Sequence, residues 1–183
     1  LLGLPEWFSS ISALFITLTG IVGFRYSHIQ NRLCYNLLSL LIINGIASCL
    51  YHLTGWYLFK HLDEIPMILA VWFGIIFILG NYSVTTTYLI CDMIFVVILG
   101  INTIPSFQHL FPLMFGMPLV LMIPLICYEL HKQSSNPNKK ISLHLSTKGI
   151  LMCIGSAATW FISECWCKWY MVLSHSFWHI GMA

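Results

Sequence analysis

From Trp7 to Phe24 the chain carries no charged side chain, and blocks of the same kind recur almost to its last residue. Backbone N–H and C=O groups cannot be left open in hydrocarbon. A block long enough to cross a bilayer must therefore close its own hydrogen bonds, as a helix does. The apolar residues run in blocks rather than in alternation, which argues against strands. Six full spans and a short one can be placed: Trp7 to Phe24, Leu33 to Gly55, Leu62 to Leu79, Thr85 to Ile101, Leu110 to Tyr128, Gly149 to Cys165, and from Trp169 onward. The expected architecture is all-α, a single seven-helix membrane domain over residues 1–183 with its last helix truncated. From Trp169 to Ala183 there is only about 22 Å of helix against roughly 30 Å of hydrocarbon. Both ends read as trimmed, since the chain opens on Leu1 and stops inside an apolar run. No cationic region precedes the first block, so it reads as a span and not a signal peptide.

Composition supports lipid as the solvent. Only 8% of residues are charged, where a water-facing surface usually needs about a quarter. Mean hydropathy is +0.85. A net charge of +2 excludes a strongly electrostatic partner such as nucleic acid. Of seven cysteines, five (Cys34, Cys49, Cys91, Cys127 and Cys153) sit in apolar runs and read as small hydrophobes. Cys165 and Cys167 fall near a membrane surface, where Cys-x-Cys is a weak metal signal.

Loop charge orients the spans. Alternate loops put Arg25, Arg32, Lys132, Lys139, Lys140 and Lys148 on one face, and only Lys60 and Lys168 on the other. The first face is expected in the cytoplasm, with the N-terminus lumenal or outside and the C-terminus cytoplasmic. The hydrophilic stretch Glu129 to Lys148 reads as the clearest loop, and Trp56 to His61 as a turn.

An ionisable residue in a span costs a few kcal/mol on insertion scales, roughly 2.5–3.5 at a helix centre, so each needs a reason. Three clusters stand out: Ser48 and His52 closing the second span, Asp63-Glu64 opening the third, and His175 with His179 in the seventh. By parity all three fall in the same half of the bilayer. His175 and His179 are i and i+4, about 40° apart around the axis, and Ser48 and His52 share that spacing. Three imidazoles, a hydroxyl and a carboxylate can thus face one volume. Three histidines with an open position suit a catalytic zinc. A carboxylate such as Asp63 could then accept a proton from water, and a hydroxyl such as Ser48 could donate to a developing oxyanion. A lone intramembrane histidine is more often structural, and only the joint placement favours metal. Haem fits worse, because its two axial ligands approach from opposite sides. His28, His61, His109, His131 and His144 read as solvated loop residues. Asn44 reads as interhelical glue, and Asp92 in the fourth span is open between a hydrogen-bonded acid and a cavity lining.

At these residues the sequence resembles the alkaline ceramidases, within the CREST superfamily of membrane hydrolases. That group shares Ser-x-x-x-His, a later Asp and a distal His-x-x-x-His, standing here as Ser48 with His52, Asp63, and His175 with His179. The run Leu62-Asp63-Glu64-Ile65-Pro66-Met67 and the stretch Glu6-Trp7-Phe8-Ser9-Ser10-Ile11-Ser12 are similar to that family's own. The resemblance implies zinc on His52, His175 and His179, water activation by Asp63 and carbonyl polarisation by Ser48. It implies hydrolysis of a membrane lipid, ceramide or a derivative, to sphingoid base and fatty acid, in the endoplasmic reticulum or Golgi membrane. It also implies a calcium site ahead of the first span. Of that site only Glu6 stands here, so calcium is either lost or completed by other residues. A Trp-x-x-Asp pattern is represented loosely by Trp160 and Glu164, and Glu164 also has Lys168 as an i, i+4 partner. Two other readings stay open: an ester hydrolase or lipid-anchor remodeller using the same zinc, and a non-enzymatic receptor with a structural zinc.

Overall fold

In α1 (Trp7–Tyr26) the usual amphipathic arrangement is turned inside out. The small or polar residues Ser9, Ser10, Ser12, Ala13 and Gly20 are buried at helical spacing, with Ile16 the one large side chain among them. The large apolar ones, among them Phe8, Ile11, Phe15 and Leu18, point outward and are exposed. Lipid tails are as apolar as leucine, so nothing drives large side chains inward. Small residues at the interface instead let backbones approach closely. Glu6 begins the helix, its carbonyl accepting the Ser10 N–H at 2.9 Å.

The computed structural model describes residues 6–26, 32–79, 96–98, 100–101, 104–133, 140–166 and 172–182. After α1 come α2 (Arg32–Thr54), α3 (Tyr57–Leu79), a 3-10 helix (Pro105–Leu110), α4 (Phe111–Gln133), α5 (Lys140–Trp166) and α6 (Val172–Met182). The described residues contain no strand. Among the described residues, three stretches are long and apolar enough to cross a membrane: Trp7–Tyr26, Tyr35–Thr54 and Phe111–Tyr128.

The chain divides into two compact units, residues 1–67 with 151–183, and residues 68–150. In the first, α1 packs along α2 and against α6. The α1–α2 contact is close at Gly45, where an added Cβ would stand 2.6 Å from the Thr17 nitrogen and 2.8 Å from the Ala13 carbonyl oxygen. Helix α2 ends on Gly55, whose φ of 67° suits the left-handed position after a helix. Its N–H returns to the Tyr51 carbonyl at 2.7 Å, and the next helix starts two residues on. That tight reversal sets the first turns of α3 beside the last turns of α2. Trp160 of α5 and Trp178 of α6 are buried together, ring centroids 5.5 Å apart. In the second unit, Phe111 and Phe115 stack on one face of α4 at 5.8 Å.

Several boundaries differ from the sequence reading. Hydropathy marks where hydrocarbon ends, whereas a helix continues until its backbone stops bonding. Helix α5 begins at Lys140, so much of the expected loop Glu129 to Lys148 is helical. Its 27 residues make about 40 Å of helix, some 10 Å beyond a hydrocarbon core. Likewise α3 starts at Tyr57, inside the expected turn. His61 is thus helical and half-buried, its ring edge-on to Tyr57 at 4.4 Å, and not a solvated loop residue. His131, also within a helix, is exposed. Only the end of the fourth predicted span is described; Asp92, Cys91, Cys167 and His28 lie outside the described residues, as do the side chains of Glu164, Cys165, His109 and His144. Cys49, Cys127 and Cys153 are not in disulfides.

Candidate metal centre

The last turns of α2 carry a polar stripe, Asn44, Ser48 and His52, repeating every four residues and so lying on one face. Helix α6 carries His175 and His179 with the same spacing. The three imidazoles meet. Ring centroids stand 4.9 Å apart for His52 and His175, 5.3 Å for His52 and His179, and 4.8 Å for His175 and His179. One nitrogen from each ring lies within 4.8 Å of the others, and among the described residues this is the group able to hold a metal ion. Around tetrahedral zinc, nitrogens at about 2.0–2.1 Å from the ion stand roughly 3.4 Å from one another.

Each ring has two nitrogens, and the partner of one decides what the other offers. For His52 the partner is Glu6: Oε2 lies 2.8 Å from Nδ1. The hydrogen bond from His52 holds the Glu6 carboxyl below its ordinary pKa, so it is an acceptor and the ring must donate from Nδ1. In the neutral ring Nε2 is then the acceptor, and this atom is buried without a hydrogen-bond partner. A buried ring nitrogen without a partner, beside two more imidazoles, fits a metal-binding role. Glu6 and His52 are joined a second time, by the Glu6 N–H to the His52 carbonyl at 3.2 Å. For His179, Nδ1 faces the Ser9 carbonyl at 3.0 Å and the Ser12 hydroxyl at 2.9 Å, while Nε2 is 3.4 Å from Ser48 Oγ.

Asp63 stands one turn after the start of the α3 face that meets α2. Asn44 Nδ2 donates to its Oδ1 at 2.8 Å and to its backbone carbonyl at 2.7 Å. The Ser48 hydroxyl hydrogen-bonds the same carboxyl, which also lies within electrostatic reach of His52. Asn44 is therefore more than a generic helix-to-helix contact: it fixes the α3 carboxyl that lies near His52. The neighbouring Glu64 is buried and turns toward Lys60, Oε1 to Nζ 3.7 Å.

The structure thus brings together Ser48, His52, Asp63, His175 and His179, and adds Glu6 from the start of α1. Trp160 packs against Trp178, between the two α6 histidines in sequence. The sequence reading did not assign a role to Ser9 or Ser12. Their signal was three serines within four residues of an otherwise apolar span, a pattern that marks a polar helix face but not its partner.

These features define a class: an all-helical protein with membrane-length helices and a buried centre of three histidines able to hold a metal. The family model described as Ceramidase matches residues 4–183, and the chain belongs to that family. No curated protein and no solved structure matches it significantly. Family membership makes the chain a hydrolase of amide bonds acting on a lipid substrate.

Proposed function

We propose that the protein is a seven-pass membrane amidase that binds zinc on His52, His175 and His179 and hydrolyses ceramide to a sphingoid base and a free fatty acid. The observation that carries this reading is the convergence of the three imidazoles from α2 and α6, with the buried Nε2 of His52 left without a partner. Zinc bound there supplies a Lewis acid and brings the pKa of water down to about 7. The chain's own groups supply the rest. Asp63, held at Oδ1 by Asn44, keeps its other oxygen for water. It accepts the proton of the attacking water and delivers it to the nitrogen as the C–N bond breaks, so that the amine leaves neutral. Ser48, whose hydroxyl rests on the Asp63 carboxyl, turns its proton to the carbonyl oxygen, where negative charge develops, once Asp63 has taken the proton of water. With Oγ fully buried beside His179 and Asp63, that donor works where water does not compete.

A site buried within helices suits a substrate whose amide lies just beneath the lipid headgroups and which arrives sideways from the bilayer. The six-to-two division of loop charge supports a lumenal N-terminus and a centre near the lumenal leaflet. The calcium role attached to Glu6 is compatible with its bond to His52, because a carboxylate has two oxygens. The same residues would also cleave a lipid ester, and family membership favours the amide.

The test combines metal analysis with turnover of a fluorescent ceramide by the purified protein. His179→Ala should lose bound zinc and fall to background turnover, and a chelator should do the same to the native protein until zinc is restored. Full turnover by the variant would end this reading.

A further inference from the structure

Resting on the metal-centre reading, we propose that the first helix is the orienting shell of the centre. The Ser9 carbonyl and the Ser12 hydroxyl hold His179 in the tautomer that turns a bare Nε2 to the metal, which makes Ser12 a positioning residue.

The argument is one of proton counting. Ser12 Oγ, Ser9 O and His179 Nδ1 form a closed triangle with sides of 2.9, 2.9 and 3.0 Å. A carbonyl oxygen has no proton to give. If Nδ1 carried a lone pair, it would face the Ser9 carbonyl lone pairs at 3.0 Å, two acceptors pressed together. Nδ1 must therefore carry the proton. Ser12 gives its own proton to the Ser9 carbonyl, and its free lone pairs accept from the ring. Two protons and three heavy atoms satisfy one another in a single arrangement. Water cannot substitute, because Ser9, Ser12 and His179 are 0%, 4% and 2% exposed.

A serine that bonds the carbonyl three or four residues back is common in this molecule. Ser10, Ser39, Ser156 and Ser163 all do so, and such bonds are local backbone features. Ser12 differs from them in one respect: its oxygen also meets a ring 167 residues away in sequence. Two anchors on Nδ1, set apart in space, fix the plane of the imidazole as well as its tautomer. One anchor leaves the ring free to swing about the remaining bond.

The start of the same helix performs the matching service for the second ligand, since Glu6 accepts a hydrogen bond from His52 Nδ1–H. Both rings are thus polarised from one turn and a half of α1, and both offer Nε2. Partners of this kind change metal affinity or activity by about 10–100-fold when removed. Because the Ser9 carbonyl remains, the lower end applies to Ser12.

The experiment uses the full chain in nanodiscs and measures zinc affinity by competition with a chromogenic chelator. Ser12→Ala should weaken zinc about tenfold, while Ser12→Thr, which keeps the hydroxyl, stays near the native value. Ser163→Ala, likewise buried and back-bonded, to the Trp160 carbonyl, should leave affinity unchanged. Cobalt loaded in place of zinc should show an altered visible spectrum in Ser12→Ala alone. Native affinity and native cobalt spectrum in Ser12→Ala would overturn the proposal. If that variant does not fold, nitrogen NMR of the native metal-free protein decides: a proton on His179 Nδ1 upholds the proposal and a proton on Nε2 overturns it. His179→Ala serves as the separate control, since retention of zinc there would remove the metal centre itself and not only its orienting helix.

Discussion

Replacing Glu6 separates the two jobs its carboxylate could have. Its Oε2 lies 2.8 Å from His52 Nδ1, and the two side chains are 46% and 6% exposed. A hydrogen bond to a charged group contributes about 1.5–3 kcal/mol when buried. Half-exposed, the carboxylate is screened, so roughly 1 kcal/mol is the appropriate figure here. Glu6→Gln keeps an oxygen acceptor for the ring at about half the strength, which corresponds to a two- to threefold loss of zinc affinity. Glu6→Ala removes the acceptor and lets the ring turn, and should weaken zinc about five- to tenfold. The assay is zinc competition on both variants, with ceramide turnover measured in the presence and absence of calcium. Zinc bound by Glu6→Ala as tightly as by the native protein would contradict the role assigned to the carboxylate. Equal impairment of both variants, seen only with calcium present, would assign the residue to calcium instead.

Two further substitutions probe the supports of the site. Asn44→Leu removes both hydrogen bonds to Asp63; interhelical bonds in membranes average about 0.6 kcal/mol each, so thermal stability should fall modestly, while kcat falls at least tenfold with KM little changed. Unaltered kcat in that variant would mean that Asp63 needs no anchor. Gly45→Ala places a methyl group against the Ala13 carbonyl and the Thr17 nitrogen of α1; overpacking of this kind costs about 1–3 kcal/mol, read as a lower unfolding temperature in detergent, and an unchanged temperature would show that α1 and α2 can separate freely.

The all-helical character was legible because uninterrupted apolar blocks leave the backbone no other way to satisfy itself. The meeting of His52, His175 and His179 was legible for a different reason: spacing of four fixes a common helix face, and counting spans fixes a common depth. Helix ends were not legible. Lys140 and Tyr57 are helical although their neighbourhoods are polar, since hydropathy reports the solvent and not the hydrogen-bonding of the chain. His61 was misplaced by the same error. Ser12 could not have been singled out from sequence, because a back-bonded serine looks the same whether or not a distant ring stands behind it. Asn44 lay in plain view, four residues before Ser48, but its partner depended on the tight reversal at Gly55 that brings Asp63, near the start of α3, to α2.

The inverted surface of α1 has a bearing on how the protein is made. This helix is the first of the described ones to leave the ribosome, whereas the ring that its Ser9 and Ser12 engage belongs to the last. Until residue 179 has been synthesised, that serine triangle is incomplete and the imidazole at position 52 lacks its two neighbouring rings. Biogenesis therefore closes the cluster late, after α6 has followed the other described helices into the membrane.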